Sequence, residues 1–261
     1  MIASLIDKNM PAPIEIVRSS TMTLNILLPV YNEEKRLRRG VEITQKYLAQ
    51  KADFEYQLTI VDNASSDKTQ QIAEQLCSEF EGIVHYIRIA EKGVGAAFRA
   101  GVAKNTCDIV GYMDIDLATD IKHIPEMMQI FQNNPQADMV NASRWNKKSD
   151  TSGRKFYRNI TSIGLVTILK LVFHMKASDA ICGFKFFRKE ALEKLMTYAE
   201  PQNGWFYLIE LLIRAEKHSF NVVELPVKWE DDAKNTTVKT GALIKEYLRQ
   251  IVALKKRMNM K

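Results

Sequence analysis

The chain has 261 residues, 46% of them apolar and 26% charged, and its 37 lysines and arginines against 31 aspartates and glutamates leave a net charge of +6. Those proportions are globular and exclude a disordered, collagen-like or coiled-coil chain. The mild positive balance favours an anionic partner without choosing between a phosphate ligand, a membrane surface and a nucleic acid.

Residues 1–23 hold Pro11 and Pro13 and read as an irregular extension, without the basic start and long apolar run of a secretion signal. Strand and helix then alternate. LNILLPV (24–30) is an apolar run of strand length, followed by Leu37, Val41, Thr44 and Leu48 on one helical face. YQLTIVD (56–62) is a second strand, and SDKTQQIAEQLCSEF a helix with Ser65 or Ser66 as its N-cap. IVHYIRI (83–89) is a third strand, GVGAAFRAGVAK a helix of small residues, and DIVGYMD (108–114) a fourth strand. A helix with Ile121, Ile124, Met128 and Phe131 in phase follows, and 138–142 adds a strand. This order is that of an α/β fold with a doubly wound, mostly parallel sheet, whose ligands lie at the carboxyl ends of the strands.

Beyond residue 150 the alternation loosens. ITSIGLVTILKLVFHM (160–175) is too short to span a bilayer and carries Lys170. It reads either as a buried core helix or as one lying on a membrane, since three cations and two aromatics precede it in GRKFYR (153–158). Residues 241–261 form a basic amphipathic helix, with Leu243, Tyr247, Ile251 and Leu254 at helical spacing among Lys245, Arg249, Lys255, Lys256 and Arg257. Cys77, Cys107 and Cys182 are scattered and odd in number, which points to a reducing cytoplasm and to neither a disulfide framework nor a metal cluster.

Acidic groups gather on one sheet edge: the first strand runs into Tyr31-Asn32-Glu33, the second ends in Asp62-Asn63, the fourth in Asp114-Ile115-Asp116. Asp114 and Asp116 have the strand period, so both are expected to point the same way, and two close carboxylates call for a cation. Mg²⁺ takes one or two carboxylates together with phosphate oxygens. Between these ends lies Glu91-Lys92-Gly93-Val94-Gly95-Ala96-Ala97-Phe98-Arg99, where Lys92 and Arg99 offer charge to a phosphate. It is neither a dinucleotide fingerprint, because the third glycine falls on Phe98, nor a P-loop. His85, His123, His174 and His218 lack ligand spacing and no Gly-x-Ser-x-Gly elbow occurs, so serine hydrolase, zinc enzyme and Rossmann dehydrogenase drop out.

LPVYNE, VDNASSDKT, EKGVGAAFRAG, MDIDLAT, SRW, DAICGFKFFRKEAL and VVELPVKW occur in that order. As a set they resemble the family 2 glycosyltransferases of GT-A fold, and within them the polyprenyl-phosphate sugar transferases of the dolichyl-phosphate glucosyltransferase type. The resemblance covers 24–240, with 24–120 on the nucleotide-sugar side and 121–240 on the acceptor side. It implies a nucleotide-sugar donor, a lipid-phosphate acceptor, Mg²⁺ or Mn²⁺, and inversion at the anomeric carbon. On the matching positions, Pro29, Tyr31, Glu33, Lys92 and Gly93 would lie at the donor and Asp62 would bond the base. Asp116 would be the principal metal ligand, with Asp114 beside it facing the ribose. Arg144 would neutralise phosphate, Arg158 and Ser162 would hold the acceptor phosphate, and Asp179 would lie against the reacting centre.

Two positions depart from relatives: Ala118 stands where mannosyltransferases carry a metal-binding Gln, and Val94 where many relatives carry Lys. Ala118-Thr119 resembles the glucosyltransferase branch, which favours UDP-glucose. A phosphate acceptor is already anionic near neutral pH, so no true general base is expected and Asp179 would orient or tune the acceptor. The implied location is the cytoplasmic membrane face, as a peripheral protein. Two alternatives stay open: a soluble enzyme of the same fold acting on a saccharide or protein hydroxyl, and a catalytically silent nucleotide-binding protein. No nucleic-acid recognition module is present, and no nucleic-acid partner is expected.

Overall fold

A computed structural model describes residues 22–151, 156–230 and 240–259, without the side chains of 156–160 and 240–242. The sequence expectations for 1–21 and for Arg154 and Lys155 lie outside the described residues.

The alternation up to residue 143 is realised as β1 (Thr23–Val30), α1 (Leu37–Lys51), β2 (Glu55–Asn63), α2 (Thr69–Glu79), β3 (Val84–Ile89), α3 (Val94–Ala103), β4 (Ile109–Met113), α4 (His123–Asn133) and β5 (Met139–Ser143). There follow α5 (Phe156–Phe173), β6 (Phe184–Arg188), α6 (Lys189–Met196), α7 (Phe206–Lys217), β7 (Val222–Pro226) and α8 (Thr240–Asn259). The strands make one seven-stranded sheet in the order β3-β2-β1-β4-β6-β5-β7. β6 runs antiparallel to both β4 and β5, and the other pairings are parallel. The acceptor-side half assigned from sequence therefore shares this sheet with the donor-side half.

Period-two alternation divides the core between the two faces. Leu24, Ile26, Leu28 and Val30 of β1 pack with Leu37, Val41 and Leu48 of α1, Leu76 of α2, and Met128 and Phe131 of α4. Leu27 turns to the other face, with Phe98 of α3, Leu169 of α5, Leu195 of α6, Leu212 of α7 and Leu254 of α8. Each such buried aliphatic or aromatic side chain stabilises the fold by about 1.5–3 kcal/mol.

Three local expectations are corrected. α2 begins at Thr69, and neither Ser65 nor Ser66 caps it; Asp67 Oδ1 accepts from Thr69 N at 3.0 Å, while Ser65 Oγ accepts from Asn32 N at 2.9 Å. The serines are drawn away by the turn after β1. α4 starts at His123, so Ile121 packs from the preceding turn. β6 and β7 lie in the stretch where the alternation loosens. Finally, the Tyr247, Ile251 and Leu254 row of α8 is buried against the protein, leaving Ile244, Leu248 and Val252 exposed on another face. None of the described helices is long and apolar enough to cross a membrane.

Candidate active site

The carboxyl ends of β1, β2, β4 and β5 open on one edge of the sheet, and antiparallel β6 starts there. The reversal of β6 brings the segment Asp179–Gly183 to the same edge as Asp62, Asp114 and Arg144.

On the β1–β2 side, Asn63 ties the floor together: its Nδ2 donates to Val30 O at 2.7 Å, and its Oδ1 accepts from Gly93 N at 2.9 Å. Asp62 is fully buried; its Oδ1 accepts from Ser65 N at 2.8 Å and its Oδ2 from the Tyr86 hydroxyl at 2.9 Å. Tyr86, on β3, was not singled out from sequence, because nothing in a strand pattern says which hydroxyl meets a carboxylate two elements away. Burial and then this bond raise its phenol. Glu33 is gripped by Arg36 through Nε at 2.7 Å and Nη2 at 2.6 Å, so its carboxylate is turned to its own helix start. Tyr31 is 40% exposed; Lys92 Nζ donates to its hydroxyl at 2.7 Å and stands 4.7 Å from its ring centroid. Pro29 is the last but one residue of β1, paired in register with Val61.

β4 stops at Met113, so strand period does not orient the two aspartates as expected; a turn carries Asp116, and Leu117 takes φ 57°. They are nonetheless close enough to repel. Burial first, and then the charge of Asp116, push the Asp114 carboxyl up to about 8, against the opposing pull of Arg144 and Lys185. Asp116 Oδ1 accepts from Ala118 N at 3.0 Å. Gly183 abuts Asp114 so closely that a β-carbon there would overlap the carboxylate. Among the described residues no three His, Cys, Asp or Glu side chains are grouped to hold a metal. The two crowded carboxylates would suit a hard divalent cation, which takes oxygen donors.

Across the edge, the Arg144 guanidinium closes on Asp179, Nε to Oδ2 at 2.7 Å and Nη2 to Oδ1 at 3.1 Å, and both side chains are buried. Arg144 also stands 5.6 Å over the Trp229 ring. Asp179 Oδ1 accepts further from Ile181 N at 2.9 Å and Cys182 N at 3.3 Å. Burial alone would raise this acid; the Arg144 charge and its hydrogen bonds more than offset it and hold the carboxyl at about 2. Lys185 is buried beside them, donating to Cys182 O at 2.7 Å, and burial lowers its ammonium. Sequence reading took Arg144 and Asp179 as separate groups; the structure makes them one ion pair.

Ser162, on α5, lines an apolar cavity of about 260 Å³ between α5 and α8 with Leu165, Ile168, Ile181, Leu243 and Tyr247. The cavity reaches the Asp179–Gly183 segment at Ile181, and the Tyr247 phenol, raised by burial, also feels the Asp114 charge. Arg158 lies one turn before Ser162 on α5; its side chain is outside the described residues.

The family model for glycosyl transferase family 2 matches residues 25–196. Dolichyl-phosphate beta-glucosyltransferase ALG5A of Trichomonas vaginalis is 28% identical over 247 residues, covering 92% of this chain and 75% of that protein. Its ALG5D counterpart is 27% identical over 230 residues, 85% of this chain and 70% of that protein. Glycosyltransferase AglD of Haloferax volcanii is 31% identical over 209 residues, 79% of this chain but only 33% of its own length, so the chain spans a third of that relative. Among solved structures, glucosyl-3-phosphoglycerate synthase from Mycobacterium tuberculosis in complex with Mn²⁺, uridine-diphosphate and phosphoglyceric acid superposes with a TM-score of 0.68 at 16% identity. The match covers 90% of this chain and 78% of that one, and at such identity it concerns the fold alone.

Proposed function

The chain belongs to glycosyl transferase family 2 and has the GT-A fold, and from that premise we propose that it transfers glucose from UDP-glucose to a polyprenyl phosphate at a membrane surface. One observation carries the choice of acceptor: an apolar cavity of about 260 Å³ abuts the segment that holds the Asp179–Arg144 pair, next to the crowded Asp114–Asp116 edge. A greasy chain and a charged head fit side by side. The names of the dolichyl-phosphate glucosyltransferase relatives support the same class.

In this reading the buried Asp62 carboxylate turns from the Tyr86 hydroxyl to receive the imide N–H of the base, Tyr31 and Lys92 flank the nucleotide, and Pro29, Glu33 and Gly93 shape its pocket. Asp116 and Asp114 would hold Mg²⁺ or Mn²⁺, which when bound neutralises charge on the leaving diphosphate. Arg144 adds a fixed positive charge that Asp179 orients, an arrangement of the preorganised electrostatic kind. Ser162, in the lining of the cavity, would receive the acceptor phosphate, and Arg158, one turn earlier on α5, is assigned to the same phosphate by the resemblance. The phosphate oxygen attacks the anomeric carbon opposite the diphosphate, so the sugar inverts. An acid held at about 2 is a poor proton acceptor, and an acceptor phosphate that is already anionic needs none.

Incubation with labelled UDP-glucose, Mn²⁺ and a polyprenyl phosphate tests the reading. Label passing into the organic phase is expected; label appearing only on an added saccharide would replace the lipid acceptor with a hydroxyl one.

A further inference from the structure

Glu210 lies on α7 and is fully buried. Its Oε2 accepts from Arg257 Nη2 of α8 at 2.9 Å and from Gln202 Nε2 at 2.6 Å. Its Oε1 faces Arg214 at 3.3 Å. Arg257 also reaches Glu200 Oε2 with Nη1 at 3.0 Å. The loop 200–204 is thus clamped from α8 by Arg257, directly at Glu200 and through the Glu210 carboxylate at Gln202.

That loop sits on the start of α3. Asn203 O accepts from Gly95 N at 2.8 Å and from Ala96 N at 3.3 Å, filling the role of a cap on a helix that has no side-chain cap. Arg99 of α3 answers by donating to Gln202 O and, at 2.9 Å, to Asn203 Oδ1. Gly93 takes φ +123°, and a β-carbon there would overlap Asn203 O. Gly93 N in turn donates to Asn63 Oδ1 on the nucleotide floor. A continuous run of hydrogen bonds joins the C-terminal helix to the loop carrying Lys92 and Gly93.

We propose that Glu210 is a positioning residue for the donor site, holding the 200–204 loop on the N-terminus of α3 so that donor affinity depends on the seating of α8 through Arg257. The inference rests on the reading of Lys92 and Gly93 as donor-side residues. A buried carboxylate between two arginines is by itself weak evidence for stability, and a role in fixing geometry must be tested as such. The relevant geometry is the backbone at Gly93, which touches Asn203 on one side and Asn63 on the other. Loosening the clamp frees Asn203 from the α3 start and lets the Lys92–Gly93 turn drift from the floor.

The test is titration of the full chain with UDP in the presence of Mn²⁺, with parallel steady-state kinetics in donor and acceptor, for wild type, Arg257→Gln, Gln202→Leu and Arg257→Lys. Arg257→Gln and Gln202→Leu are expected to weaken UDP binding and raise the donor KM by about five- to tenfold, with acceptor KM and kcat within about twofold; Arg257→Lys restores most of the affinity. Gln202 is half-buried in an otherwise exposed loop outside the core, so Gln202→Leu keeps the test open should the arginine variants fold poorly. UDP affinity within about twofold of wild type in both folded variants would overturn the proposal, as would equal rises in donor and acceptor KM. Wild-type protein that binds no UDP would overturn the donor reading first and this inference with it.

Discussion

Arg144 and Asp179, 35 residues apart in the chain, meet as a two-point ion pair inside the protein, with Nε–Oδ2 at 2.7 Å and Nη2–Oδ1 at 3.1 Å. The pair consumes the carboxylate: backbone donors of Ile181 and Cys182 occupy what the guanidinium leaves. Asp179 therefore acts through Arg144. Asp179→Asn, which leaves a buried guanidinium without its counter-charge, is expected to lower stability by about 3–5 kcal/mol. Urea unfolding of both proteins at neutral pH measures it. Turnover of the folded variant separates the roles: near-normal rates would take Asp179 off the list of groups that matter to transfer.

The same pair sets an acid limit. The Asp179 carboxyl is held at about 2 in the folded state, below its ordinary value of 3.8. A depressed acid contributes stability that is fully present above the unfolded value and lost as pH falls through the folded one. The stability gap between wild type and Asp179→Asn should thus stay constant above pH 5 and close between about pH 4 and pH 2. Equilibrium unfolding across that range checks it; a gap that closes near neutrality would mean that another group is responsible.

Asp114 and Asp116 are crowded before any cation arrives, and Gly183 leaves Asp114 no slack. Replacing Asp116 with Asn should abolish Mn²⁺-dependent UDP binding while leaving the far-ultraviolet dichroism unchanged, because Asp116 lies in a turn outside the sheet. Gly183→Ala should do the same by displacing the Asp114 carboxylate. Calorimetric titration with Mn²⁺ and UDP reads both variants.

The exposed row Ile244, Leu248 and Val252 of α8 is flanked by exposed Lys245, Arg249 and Lys256. If it rests on an anionic bilayer, each basic residue near the surface adds about 1 kcal/mol, and salt weakens the contact. Flotation with anionic vesicles should recover the protein at low salt and lose it on Leu248→Glu or at high salt. Flotation that ignores both changes would place the contact elsewhere.

β1, β2 and β4 were legible because each is an apolar run that leads into Asn or Asp and is followed by a helix with a clear apolar face. The antiparallel insertion was not. β6 reads Phe184-Lys185-Phe186-Phe187-Arg188 and sets a lysine at a fully buried position, which breaks the hydrophobic signal of a core strand. The acidic edge could be read off the strand ends, but the way its members pair could not. Asp62 closes on Tyr86 and Arg144 on Asp179, partners chosen by tertiary approach, while Glu33 is taken by Arg36 only three residues along. α8 shows the same limit. Its periodicity was evident in the sequence, yet only the fold decides that Tyr247, Ile251 and Leu254 face inward while Leu248 and Val252 face out.

The most direct test is a crystal structure of the protein grown with UDP and Mn²⁺. The account predicts a manganese ion bound by Asp116, with Asp114 beside it, contacting both phosphates of a UDP whose uracil meets Asp62, while the α5–α8 cavity opens next to the β-phosphate. A nucleotide bound elsewhere, or an Asp116 carboxylate turned from a metal-free diphosphate at saturating Mn²⁺, would contradict it.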